Sequence, residues 1–146
     1  MIAVDTNLLV YAHREDSVWH READALIVRL AESPRPWAIA WPCIHEFLAI
    51  ATHPKIYNPP TPTMRALEQI DCWLESPSLR LLGESAGYWP RLRALIENSK
   101  IAGPMIRDGR VAALCLEHGV TELWSADRDF SRFAPLKVKN PLVGQK

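Results

Sequence analysis

Glycine is scarce in this sequence, six residues in 146, and the six are too scattered to form a GxGxxG turn or a phosphate-cradling loop. Dinucleotide-binding and P-loop chemistries are thereby set aside, and the absence of a GxSxG elbow removes the hydrolases built on that turn. Cysteine is as sparse: Cys43, Cys72 and Cys115 are odd in number, far apart and embedded in apolar sequence, with no CxxC pair. They predict buried free thiols in a reducing compartment rather than a disulfide framework. Charge of one sign is also missing. Seventeen basic residues balance seventeen acidic ones, so nucleic acid could be held only by local contacts, not by bulk positive charge. No run approaches the roughly 18 apolar residues of a membrane span, and the opening apolar stretch carries Asp5 and no basic region before it. The expectation is a cytoplasmic protein with neither signal peptide nor membrane segment. Histidine offers no zinc site: His45-Glu46 begins like a zincin helix, but position 49 is alanine, and His13, His20, His53 and His118 lack ligand spacing.

What is present is an alternation of short apolar runs with helical stripes. Ile2-Ala3-Val4 reads as a strand buried on both faces and ending at Asp5, with a helix from near Leu8. Trp19, Ala23, Leu26, Ile27 and Leu30 mark a second helix behind a cap at Asp16 or Ser17. Trp37 to Trp41, between two prolines, is a strand, and Ile44, Phe47, Leu48 and Ala51 stripe the helix after it. Four prolines between His53 and Pro62 make a surface loop, after which Thr61 is expected to cap a helix that turns Leu67, Ile70, Trp73 and Leu74 inward. Leu79 to Leu82 is a strand; Trp89, Leu92, Leu95 and Ile96 stripe a helix; a last helix runs from about Met105 to a C-capping Gly119. Thr121 to Ser125 forms the next strand, and Leu136 and Val138, alternating with Lys137 and Lys139, an edge strand. The order predicts one α/β domain over residues 1–146, with a mostly parallel sheet of about five strands.

Three carboxylates stand out against this pattern. Asp5 and Asp127 each follow a strand, and Asp108 heads the apolar face of its helix, with Val111, Ala112 and Cys115 at i+3, i+4 and i+7. In a parallel sheet all three fall at the carboxyl edge of the strands, where such sheets bind ligands. Clustered carboxylates repel one another unless cations neutralise them, and oxygen ligands without His or Cys suit Mg²⁺ or Mn²⁺. The competing reading is capping: Asp, Thr and Asn all suit helix N-termini, and Asp108 would gain from its own helix dipole. On its own helix Glu46 lies away from the stripe and reads as a solvated glutamate.

Val4-Asp5-Thr6-Asn7, Glu46, Asp108 and Ser125-Ala126-Asp127-Arg128-Asp129-Phe130, in that order and spacing, resemble a PIN domain over nearly the whole chain. More narrowly the sequence is similar to VapC-type ribonuclease toxins, closely so from Val111 to Phe133. The resemblance implies a three-layer α/β/α fold and a Mg²⁺-dependent endoribonuclease, Mn²⁺ being an alternative. It implies metal ligands at Asp5, Glu46, Asp108 and Asp127 with Asp129 as a nearby fifth acid, a VapB-type antitoxin as partner, and a homodimer. Thr6, Asn7 and Ser125, the last where threonine is usual, become candidates for hydrogen bonds that orient the acids. Arg14, Arg107, Arg128 and Arg132 become candidates for RNA phosphates. Gly109, where alanine is usual, would cost about 1 kcal/mol of helix propensity and loosen Asp108, and Arg107 and Pro104 are unusual neighbours for that acid. The rival class is a non-enzymatic interaction module whose acids only cap helices and whose six tryptophans serve packing and partner contacts.

Overall fold

In a computed structural model, which describes residues 1–143, five strands form one parallel sheet in the order β3-β2-β1-β4-β5. The strands are β1 (Ile2–Val4), β2 (Trp37–Ala40), β3 (Leu79–Leu82), β4 (Glu122–Trp124) and β5 (Lys137–Lys139). The last three residues of the expected domain lie outside the described residues. Six α-helices connect the strands: α1 (Thr6–His13), α2 (His20–Glu32), α3 (Trp41–Ala51), α4 (Thr63–Leu74), α5 (Tyr88–Ser99) and α6 (Met105–Glu117). A 3-10 turn, Arg128–Arg132, precedes β5. The chain winds outward from β1 through β2 to β3, then returns to β4 and β5 on the other side. With right-handed crossovers this places α1 to α4 on one face and α5 and α6 on the other. Accordingly α1 packs on α2 and α3, α3 on α4, and α5 on α6.

Burial follows from this layering. All four residues of β2 are buried, as are Ala3, Val4 and Leu123 at the centre of the sheet, while Lys137 and Lys139 leave the β5 edge charged, as expected. The predicted C-cap is also present. Gly119, at φ +72, lets the Val120 and Gly119 N–H groups reach back to the carbonyls of Cys115 and Leu116, closing the end of α6.

Several local expectations are corrected. Thr61 does not cap α4, which starts at Thr63 behind Pro62; its buried hydroxyl is taken instead by His13 and Arg14. Neither Asp16 nor Ser17 caps α2: Asp16 pairs with Arg14, and Ser17 accepts from the Trp19 N–H one turn too early. On α4 the buried line is Ala66, Ile70 and Trp73, leaving Leu67 and Leu74 exposed beside it; on α5 Trp89 is exposed. Trp41 begins α3 rather than ending β2. Of the three thiols, all free, Cys72 is exposed, on the outer side of α4. Gly109 has a packing reason. A Cβ there would lie 2.8 Å from the Ile101 Cδ1, so the bare backbone admits Ile101 between α5 and α6.

Candidate active site

The sheet order reverses between β1 and β4, and a parallel sheet opens a crevice at such a point, beyond the carboxyl ends of the two strands. Asp5 follows β1 there and Ser125 follows β4. The ladder fixes both positions: the Asp5 N–H donates to the Trp124 carbonyl at 2.9 Å, and the Ser125 N–H to the Lys139 carbonyl at 2.9 Å.

The buried Asp5 carboxylate is held by four donors: the Ser125 hydroxyl at 2.7 Å, the Thr6 N–H at 2.8 Å, the Asn7 amide at 3.4 Å and the Cys43 thiol at 3.6 Å. Burial pushes its pKa up, the Ser125, Thr6 and Cys43 donors pull it down, and the charge of Asp127 pushes it up again. Asp5 is the N-cap of α1, and its charge also acts on the Asp108 and Glu46 carboxyls.

Ser125 and Asn7 fasten the two strand ends together. The buried Ser125 hydroxyl accepts from the Asp127 N–H at 2.9 Å and from Asn7 Nδ2 at 3.3 Å, while Asn7 Oδ1 accepts from the Ala126 N–H at 3.2 Å. Of the three orienting candidates, Asn7 and Ser125 contribute side chains and Thr6 only its N–H. Among the described residues the buried Thr6 hydroxyl has no hydrogen-bond partner.

Asp127 caps the 3-10 turn by accepting from the Asp129 N–H at 2.8 Å, and this turn brings Asp129 back toward Asp127. Asp108 enters from the first turn of α6. One carboxylate oxygen from each of Asp108, Asp127 and Asp129 lies within 4.8 Å of the other two. Partial burial raises the Asp108 carboxyl to about 6, helped by the charges of Asp127, Asp5, Asp129 and Glu46. No basic side chain among the described residues forms an ion pair with it. Glu46 stands on the rim, exposed on α3; desolvation and the charge of Asp5 raise its carboxyl, while Arg107 and Arg110 oppose the rise.

Asp108, Asp127 and Asp129 therefore stand together, and the charges of Asp5 and Glu46 reach the Asp108 carboxyl from outside that group. Their donors are all oxygen, and among the described residues only Asp129 has an ion-pair partner, which fits a hard divalent ion such as Mg²⁺ or Mn²⁺.

The arginines separate. Arg107 acts on Glu46, the exposed Arg128 follows Asp127, and Arg132 reaches Asp129 at 3.8 Å. Arg14 is instead bound to the proline loop: it pairs with Asp16, donates to the Pro59 carbonyl and the Thr61 hydroxyl, and lies 4.2 Å over the Tyr57 ring. Two residues around the acids are not assigned to the site from the sequence. Arg110 lies one helical turn beyond Arg107, and the Cys43 thiol lies three positions before Glu46 on α3. Helical spacing, from Arg107 on to Arg110 and from Glu46 back to Cys43, is the signal that could have found both.

Residues 2–136 match the family model of the PIN domain. Among curated proteins the chain is 34% identical over 145 residues to Ribonuclease VapC43 of Mycobacterium tuberculosis, covering 99% of this chain and 98% of that one. It is 31% identical over 140 residues to Ribonuclease VapC48 of the same species, covering 96% and 97%. Among solved structures it superposes on Mycobacterium tuberculosis VapC20, a toxin described as cleaving the sarcin-ricin loop, with a TM-score of 0.66 at 16% identity, covering 90% of this chain and 93% of that one. The VapBC2 complex of Rickettsia felis, bound to a DNA fragment from its promoter, gives 0.65 at 21% identity, covering 95% and 98%. Extent of match, shared topology and near-complete mutual coverage agree, and the chain belongs to the PIN-domain family, among the VapC ribonucleases.

Proposed function

We propose that this chain is the endoribonuclease toxin of a toxin–antitoxin pair, hydrolysing RNA with Mg²⁺, or Mn²⁺ in its place, held by Asp5, Glu46, Asp108, Asp127 and Asp129. The observation that carries the reading is the approach of Asp108, Asp127 and Asp129 within 4.8 Å, with no basic partner for Asp108. When bound, the cation supplies activation of water and stabilisation of charge developing on the phosphate. The chain's own residues do the positioning. Ser125 and Asn7 fix the Asp5 carboxylate through its Oδ2, and the turn from Asp127 to Asp129 holds both acids of that turn in reach of Asp108. Arg107, Arg110 and Arg128 are available to RNA phosphates around this centre.

The non-catalytic alternative is weakened by Asp108. Asp5 and Asp127 do cap helical turns, but α6 starts behind Pro104 with no side-chain cap, so the raised carboxyl of Asp108 has only the weak attraction of its own helix start as a structural role. A VapB-type antitoxin and a homodimer complete the proposal. The first is supported by the likeness to the VapBC2 complex of Rickettsia felis, and the second by membership of the family alone.

Protein purified away from any partner should cut single-stranded RNA when Mg²⁺ or Mn²⁺ is added and stop on chelation. The products should carry 5′-phosphate and 3′-hydroxyl ends, because water and not the ribose 2′-hydroxyl attacks. Cleavage that survives EDTA, or that leaves cyclic phosphate ends, would overturn the reading.

A further inference from the structure

The sheet edge that carries the acids also carries a pocket they do not use. It measures about 260 Å³ and is lined by Trp41, His45, Leu82, Gly83, Glu84 and Arg110, among others. Trp41 follows β2 and Leu82 ends β3, so the pocket opens at the carboxyl edge of two neighbouring strands, with Glu46 the next residue after His45. Arg110 belongs to both places, since it lines the pocket and its charge acts on the Glu46 carboxyl.

The aromatic content is what gives the pocket a chemistry. Trp37, four residues earlier, is fully buried, whereas Trp41 keeps 40% of its surface in solvent. Its indole is 6.1 Å from the His45 imidazole, with the planes 31° apart. At Gly83 the backbone runs along the ring: a Cβ there would meet the Trp41 Cδ1 at 3.5 Å. The volume is just under the range of about 300–1,000 Å³ usual for small-molecule sites, which suits one planar ring system rather than a larger ligand. Single-stranded RNA is recognised by unstacked bases laid on aromatic side chains, with cations along its backbone. With no net charge to hold RNA, this chain needs such local contacts.

We propose that this pocket is a base-binding subsite for single-stranded RNA whose backbone continues into the acidic centre. One base stacks on Trp41 beside His45, Arg110 holds the adjoining phosphate, and the Glu84 carboxylate accepts from an amino or imino group on the base edge. The proposal rests on the ribonuclease reading above and adds where the substrate lies.

The test is a cycle across protein and RNA, using a single-stranded oligonucleotide that the wild-type protein cuts and a series in which each nucleotide near the cut is made abasic in turn. One abasic position should lower wild-type kcat/KM about tenfold, within the range of a lost base–aromatic stack. Trp41→Ala should lose a similar factor on intact RNA and then be indifferent to that abasic position, while Trp41→Phe, which keeps a ring and guards against misfolding, should recover most of the loss. Trp41→Ala that cuts intact RNA as well as wild type, or that stays sensitive to every abasic position, overturns the subsite. So does a Trp41→Ala that loses affinity for the co-expressed antitoxin while its RNA cleavage is unchanged, since the face would then belong to a protein partner. A wild-type protein that cuts no RNA defeats the ribonuclease reading and the subsite together; an active wild type with an unaffected Trp41→Ala defeats the subsite alone.

Discussion

Replacing Asp108 by asparagine should stabilise the protein at neutral pH when divalent cations are absent. The carboxyl sits at about 6 against an ordinary 3.8, raised by desolvation first and then by Asp127, Asp5, Asp129 and Glu46. Taken at face value, ionising such a group costs the fold about 3 kcal/mol at neutral pH. The side chain keeps contact with solvent, so screening reduces this to about 1.5 kcal/mol. Asparagine forfeits the favourable interaction of a carboxylate with the start of α6, about 0.5 kcal/mol, so the cost of ionisation, desolvation first and repulsion second, wins by about 1 kcal/mol. The sign follows from linkage. Between 3.8 and about 6 the folded chain binds more protons than the unfolded one, so this group's contribution is most favourable below 3.8 and is lost as pH rises through about 6. In EDTA, Asp108→Asn should therefore melt with wild type or slightly below it near pH 4 and about 2–4 °C above it near pH 7.5. Thermal melting followed by circular dichroism across that range is the assay. A variant that melts below wild type at pH 7.5, or an offset that does not change with pH, would refute the reasoning and make Asp108 a structural carboxylate.

Two further outcomes are expected. Ser125→Ala removes the shortest donor to Asp5 and the acceptor of the Asp127 N–H, so it should cost about 2 kcal/mol in denaturant unfolding and impair cleavage, with Ser125→Thr restoring both; an unaffected Ser125→Ala would contradict its orienting role. Iodoacetamide should label Cys72 and spare Cys43 and Cys115 in the native protein, because burial pushes the Cys43 thiol well above its usual value and that of Cys115 up to about 12; mass spectrometry showing prompt labelling of Cys43 would contradict the packing around Asp5.

Period and capping rules reached the fold because most of the helices bury one clean stripe and the inner strands are apolar throughout. Asp5, Asp108 and Asp127 were legible for a related reason, being carboxylates where a strand ends or a packing face begins. Glu46 and Asp129 are exposed, and nothing in their own segments separates them from solvated acids, so only the family resemblance brought them in. Thr61 had the sequence of a cap and lost that role to a long-range contact: His13 and Arg14, 48 and 47 residues away, claim its hydroxyl. Leu67, Leu74 and Trp89 misled for the opposite reason. Leu67 and Leu74 each follow a buried residue, Ala66 and Trp73, by one position; Trp89 keeps helical spacing to Leu92 and Leu95, but in the first turn of α5 it is Tyr88 that packs on the core. The Trp41 pocket depends on how α3 meets α6, which no local pattern encodes.

The most direct measurement is a calorimetric titration of Mn²⁺ into the metal-free protein near pH 7.5, repeated with Asp108→Asn, Asp127→Asn and Glu84→Gln. If Asp5, Asp108, Asp127 and their neighbours form one cation site, wild type and Glu84→Gln bind the ion with the same affinity, while both aspartate variants lose at least tenfold, about 1.4 kcal/mol. Wild-type protein that binds no Mn²⁺, or aspartate variants that bind it as tightly as wild type, would contradict the account.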